Sequence, residues 1–120
     1  MNKAQALYSF WSSFGYPAYD ANTVPEDAKF PRITYESVTD SFNNTVLLSA
    51  SIWDKNLAWV RVEEISSDIS DLVGDGGLNV AYDGGMIWLR RGTPFAQRMG
   101  DPDDSIRRIV INIEAEYIGG

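Results

Sequence analysis

The densest group of residues able to do chemistry is Asp101-Pro102-Asp103-Asp104, three carboxylates within four positions. Such a run offers hard oxygen ligands to Ca²⁺ or Mg²⁺. Those ions need six or more oxygens, however; the run falls short of the EF-hand pattern and no later bidentate Glu stands at the required offset. An acidic turn leading into the last strand is the simpler reading. Asp103 with Glu114 or Glu116 is the one carboxylate pair to weigh for hydrolysis, and nothing in the spacing gathers these acids around a pocket. The chain has no His and no Cys. Ser–His–Asp, Cys–His and His-metal chemistry are thereby excluded, as are disulfides and thiolate zinc. No catalytic residue, metal or cofactor is expected, and the chain does not read as an enzyme.

Two glycine pairs, Gly76-Gly77 and Gly84-Gly85, invite a phosphate-loop reading. It fails, because Asn79 stands where the last glycine of GxGxxG would be and no GxxxxGK[ST] occurs. Two basic pairs, Arg90-Arg91 and Arg107-Arg108, are each too short for a nucleic-acid patch. On alternating strands one Arg of each pair faces each side, poised for acids of this chain or of a neighbouring copy. The segment Gly92-Thr-Pro-Phe-Ala-Gln-Arg-Met99 puts Phe95, Arg98 and Met99 in an expected loop. Phe, Met and Arg are enriched at interface centres, although Phe95 tucked into the core fits equally well. Tyr16 and Tyr19 lie in a long aperiodic stretch of the sort that often carries function. The candidate self-assembly or partner surface is therefore Tyr16, Tyr19, Arg90, Arg91, Phe95, Arg98 and Met99.

These residues need elements to hold them. Leu7, Phe10, Trp11 and Phe14 fall at i, i+3, i+4 and i+7, one helical face, with Asn2 as cap and Gly15 and Pro17 as stop. From Tyr16 to Arg32 three prolines suppress any period. Ile33 to Thr39 and Thr45 to Trp53 alternate as strands around a turn at Phe42-Asn43-Asn44. Val62, Ile65, Ile69, Leu72 and Val73 mark a second helix, with Glu63, Glu64, Asp68 and Asp71 on its solvated side and Gly74 at its end. Leu78–Tyr82 and Met86–Arg90 flank Asp83-Gly84-Gly85, a hairpin signal. A loop is expected over 92–104, then a strand from Ile106 to Tyr117. The order predicts one α+β domain spanning 1–120, with a mainly antiparallel sheet of about five strands and two helices packed on one face.

The chain has 120 residues, ample for a core without staples. Its formal charge of −7 disfavours adventitious binding to nucleic acid or an anionic membrane. No apolar run approaches the ~20 residues of a membrane span. The first fifteen residues lack the basic start and apolar run of a signal peptide, so the protein is expected to stay where it is made.

Tyr82-Asp-Gly-Gly-Met-Ile-Trp-Leu-Arg-Arg-Gly-Thr-Pro-Phe-Ala-Gln-Arg-Met99, the acidic turn and Ser105-Ile-Arg-Arg-Ile109 resemble the C-terminal half of tail terminator (tail completion) proteins of long-tailed bacteriophages and related prophages. Phe30-Pro-Arg-Ile-Thr-Tyr-Glu36, Ser51-Ile-Trp-Asp54 and the helix that follows fit the same family, so the resemblance runs roughly from Leu7 to Tyr117. It implies a helix-backed sheet and a hexameric ring of copies of this chain that caps the tail tube. The implied partners are the tail tube protein and the head–tail connector, with DNA passing unread through the lumen. It places the protein in the virion tail, and in the host cytoplasm before assembly. The family carries no catalytic motif to transfer. Head–tail adaptors, also ring-forming, are a neighbouring reading. From another class, a small acidic binding module such as an inhibitor or immunity protein stays open.

Overall fold

The first helix begins where the sequence supplies a reciprocal cap. In the computed structural model, which describes residues 1–37 and 45–119, the Gln5 N–H donates to Asn2 Oδ1 at 2.8 Å and the Asn2 N–H donates to Gln5 Oε1 at 2.9 Å. Helix α1 (Lys3–Ser12) follows and buries Ala6, Leu7, Phe10 and Trp11. Phe14 falls past its last turn, half-buried and edge-on to Phe10 at 5.5 Å. The helix closes at Ser13, before the expected Gly15 stop.

Strands β1 (Ala18–Asp20), β2 (Arg32–Tyr35) and β3 (Thr45–Lys55) precede helix α2 (Val60–Val73). Strands β4 (Leu78–Tyr82), β5 (Gly85–Met99) and β6 (Ile106–Gly119) complete the chain. They form a sheet of six strands in the order β1-β2-β3-β6-β5-β4. It is mixed, because β1 and β2 run parallel while the other neighbours are antiparallel. Two expectations are corrected here. The extra strand β1 lies in the stretch read as aperiodic; with three residues after Pro17, it is too short to show a period. The expected loop over 92–104 is largely strand, because β5 continues to Met99 against β6. The turn expected at Phe42-Asn43-Asn44, and Val38 and Thr39 of the strand before it, lie outside the described residues.

Alternation assigns the faces. Leu48, Ala50 and Ile52 of β3 lie opposite Ile113, Ile111 and Ile109 of β6, and all six are buried. Ile33, Tyr35, Ile87, Leu89 and Ala115 extend this face, and both helices pack into the same core. α2 lies on the middle strands β3, β5 and β6, burying Val62, Ile65, Ser66, Ile69 and Val73. Leu72, read as part of that face, is instead 44% exposed. Its position one residue before Val73 turns it about a quarter-turn away. α1 touches both β1 and β4, which end the strand order on opposite sides. The sheet therefore curls around the helices, and α1 closes the gap between its edges. Met1 O accepts the Asp83 N–H at 2.7 Å, and the Lys3 ammonium sits over the rings of Tyr82 and Tyr117.

Burial, with a smaller contribution from Tyr82, pushes the Tyr117 phenol from its ordinary 10.0 up to about 12. Burial likewise raises Tyr35. A raised phenol pKa favours the neutral form in the folded state. The stability it contributes is complete below pH 10 and is lost as pH climbs toward 12. Alkaline absorbance titration should therefore show tyrosines that lag the exposed ones. Tyr117→Phe should abolish the latest step; an unchanged titration would refute the assignment.

Candidate functional site

The far half of β5 is shaped by one irregularity. Register is regular from Gly85 to Arg91 opposite Gly119 to Ile113, and it resumes at Ala96 opposite Ile111. The residues between form a bulge that only a small residue can open: a Cβ on Gly92 would lie 2.7 Å from the Asn112 carbonyl oxygen. Asn112 pins the bulge, its Nδ2 donating to Pro94 O at 3.0 Å and its Oδ1 accepting from Ser49 Oγ at 3.0 Å. Phe95 is half-buried and packs against the core. Beyond it, alternation sends Arg98 to the helix side and Met99 to the opposite face. Arg98 Nε donates to Glu63 Oε1 at 2.8 Å and its guanidinium lies 4.5 Å from the Trp59 ring centre. Met99 is 39% exposed opposite Arg108.

The remaining candidates are placed elsewhere. Arg91 serves α2, donating to Ser70 O through Nε and Nη2 at 3.1 and 2.7 Å and to Asp75 Oδ1 at 2.8 Å. A cation is well placed at a helix C-terminus. Arg90 faces the other way, over Trp88 and 3.5 Å from Glu114. Tyr16 packs on the core beside β1, and Tyr19 sits half-buried on β1 itself. Three strands, β2, β3 and β6, separate β1 from β5. The seven residues thus do not meet in one patch. Phe95→Ala should lower stability by about 1–2 kcal/mol, short of the ~3–5 kcal/mol of a fully buried Phe. Thermal melting together with solution mass checks this: an unchanged melting temperature with lost assembly would return Phe95 to an interface.

The acidic turn is stitched to itself. Asp101 Oδ1 accepts the Asp103 N–H, and Asp103 Oδ1 accepts both the N–H and the hydroxyl of Ser105. The two Ser105 bonds, the hydroxyl foremost, hold the Asp103 carboxyl below its ordinary range. Two further features escaped the sequence reading. Trp59 is flanked by two guanidinium groups, those of Arg98 and Arg107. On the face away from the helices, Arg32, Trp53 and Arg108 stand side by side, since Arg32 is opposite Trp53 and Trp53 opposite Arg108. Arg32 and Trp53 lay within stretches read as family-like, but only the register of three strands reveals that they are neighbours. A groove of about 490 Å³ opens there. No helix among the described residues is long and apolar enough to cross a membrane.

No protein-family model matches the sequence, and no curated protein matches it. Among solved structures, a chain of the "Virion of native gene transfer agent (GTA) particle" is similar, with a TM-score of 0.61 at 17% identity. The superposition covers 96% of this chain and 90% of the other. The protein accordingly shares its fold, across nearly its whole length, with a chain of a gene transfer agent virion.

Proposed function

We propose that this chain is a structural subunit of a phage-like virion, and more closely a tail terminator. In this reading copies of it, six to a ring, close the head-proximal end of the tail tube and meet the tube protein on one side and the head–tail connector on the other. The observation that carries the reading is the end-to-end fold likeness to a virion chain. The family-like stretches around Phe30–Glu36 and Tyr82–Met99 support it, and so does a residue set without His or Cys. Its role is to assemble, with no catalysis. The direct test is mass by light scattering over a range of concentrations, with and without tail tube protein. A ring is expected, and a strict monomer under every condition would count decisively against it.

A channel for DNA should not grip it. Each copy brings a formal charge of −7 to the ring, a field that repels phosphate at long range. Arg90 and Arg91 are already matched by Glu114 and Asp75. The assembled ring should show no measurable affinity for duplex DNA near physiological salt. Binding that falls steeply with added salt would reveal phosphate contacts and overturn the passive-channel reading.

A further inference from the structure

The groove on the helix-free face holds two arginines that make no ion pair among the described residues. Arg32 lies 4.2 Å from the Phe30 ring centre and gives Nη1 to Ala28 O at 2.9 Å, while its Nε is buried and meets no acceptor among the described residues. Arg108 lies 4.4 Å from the Trp53 ring centre and donates from Nε to Ser51 Oγ at 3.1 Å. Trp53 is fixed in turn by its Nε1–H on Thr34 Oγ1 at 2.8 Å. Among the described residues no acid lies within ion-pair distance of either arginine, although Glu36 lines the same groove. Both guanidinium planes are thus held in place by aromatic rings, in a chain with more acids than bases. Planar guanidinium groups present paired donors that suit carboxylates.

The complementary surface is on the same chain. Glu64, Asp68 and Asp71 recur at i, i+4 and i+7 on the exposed side of α2, and none has an ion pair among the described residues. Spacing agrees as well. Arg32 and Arg108 flank Trp53 one strand to each side, roughly 9.6 Å apart at ~4.8 Å per strand. Glu64 and Asp71 are seven residues apart, roughly 10.5 Å at ~1.5 Å per residue. We propose that the Arg32–Trp53–Arg108 groove receives the Glu64–Asp68–Asp71 stripe of α2 from a second copy of this chain. Exposed Leu72, beside that stripe, supplies an apolar contact for Trp53. Groove and stripe lie on opposite sides of the layered domain, so one pair of molecules cannot satisfy both. The contact is head-to-tail and must propagate, closing into a ring if the rotation permits. This inference rests on the self-assembly reading and assigns it a surface.

Charge reversal tests it. Arg32→Glu/Arg108→Glu and Glu64→Lys/Asp68→Lys should each raise the concentration needed for assembly by roughly thirtyfold or more. Mixing the two variants should restore assembly, because the intact stripe of the first meets the intact groove of the second. The reversed groove of the first meets the reversed stripe of the second with opposite charge, so the chain of contacts can propagate; misfolded protein would not be rescued. Variants that assemble like the wild type overturn the groove while leaving self-assembly standing. A wild type that never assembles overturns self-assembly itself. Duplex DNA binding that Arg32→Glu/Arg108→Glu abolishes, with assembly unchanged, reassigns the groove to phosphate.

Discussion

Trp11→Ala should cost about 3–5 kcal/mol, the range for emptying a large aromatic from a core, and lower the melting temperature of a domain this size by roughly 10–20 °C. Trp11 is 1% exposed, edge-on to Phe10 at 4.8 Å and stacked with Tyr35 at 6.2 Å. It is the largest fully buried side chain of the helix that closes the curled sheet, so the cavity would open where β1 and β4 are held together. One detail sharpens the expectation. The indole Nε1–H is buried and meets no acceptor among the described residues, and such a donor carries a penalty of about 1–3 kcal/mol. Trp11→Phe removes that donor together with part of the ring, and the two effects largely offset. It should therefore melt within a few degrees of the wild type. Equal losses for the Ala and Phe variants, measured by calorimetry, would show that the indole nitrogen has a role beyond packing.

Why Trp11 was readable and the groove was not follows from what each depends on. The α1 face rests on a 3.6-residue period, and the β6 core face of Ile109, Ile111, Ile113 and Ala115 rests on a period of two. Both are local signals, and the structure buries all four β6 residues and three of the four α1 residues expected. Asp83-Gly84 likewise sets its hairpin locally. β1 is invisible because three residues hold no period, and its pairing with β2 is made across the proline-rich segment. The Arg32–Trp53–Arg108 row is non-local in the same sense, with members drawn from three strands whose register no single segment encodes. Arg91 shows a different limit. Its type left acids of this chain and of a neighbouring copy equally open, and its bonds go to Ser70 O and Asp75 at the end of α2. Composition ranks residue types for interfaces, but it cannot see a helix terminus in need of a donor.

Gly92→Val should be the other severe substitution, with a loss of about 3 kcal/mol or more. In sequence Gly92 marks the start of an expected loop, and most loop positions tolerate a side chain. In the fold it is buried inside a continuous strand, where a Cβ would meet the Asn112 oxygen, carbonyl carbon and Cβ at 2.7, 3.0 and 3.0 Å. Two of those three atoms belong to the backbone of β6, which cannot yield without breaking its ladder to β3 on the other side. The new side chain must therefore push β5 away, and Asn112 loses its hold on Pro94. Bulges of this kind redirect a strand, and here the redirected part is Ala96–Met99, which carries Arg98 to Glu63 and Met99 to the face of Arg108. Gly92→Ala is the milder form of the same collision and should fall between Val and the wild type. Hydrogen exchange should show the damage concentrated in the amides of 96–99 and 108–111, with those of 85–91 still protected. A Gly92→Val protein that melts like the wild type would mean that the bulge has room to spare, and the strict positioning of Arg98 and Met99 would fall with it.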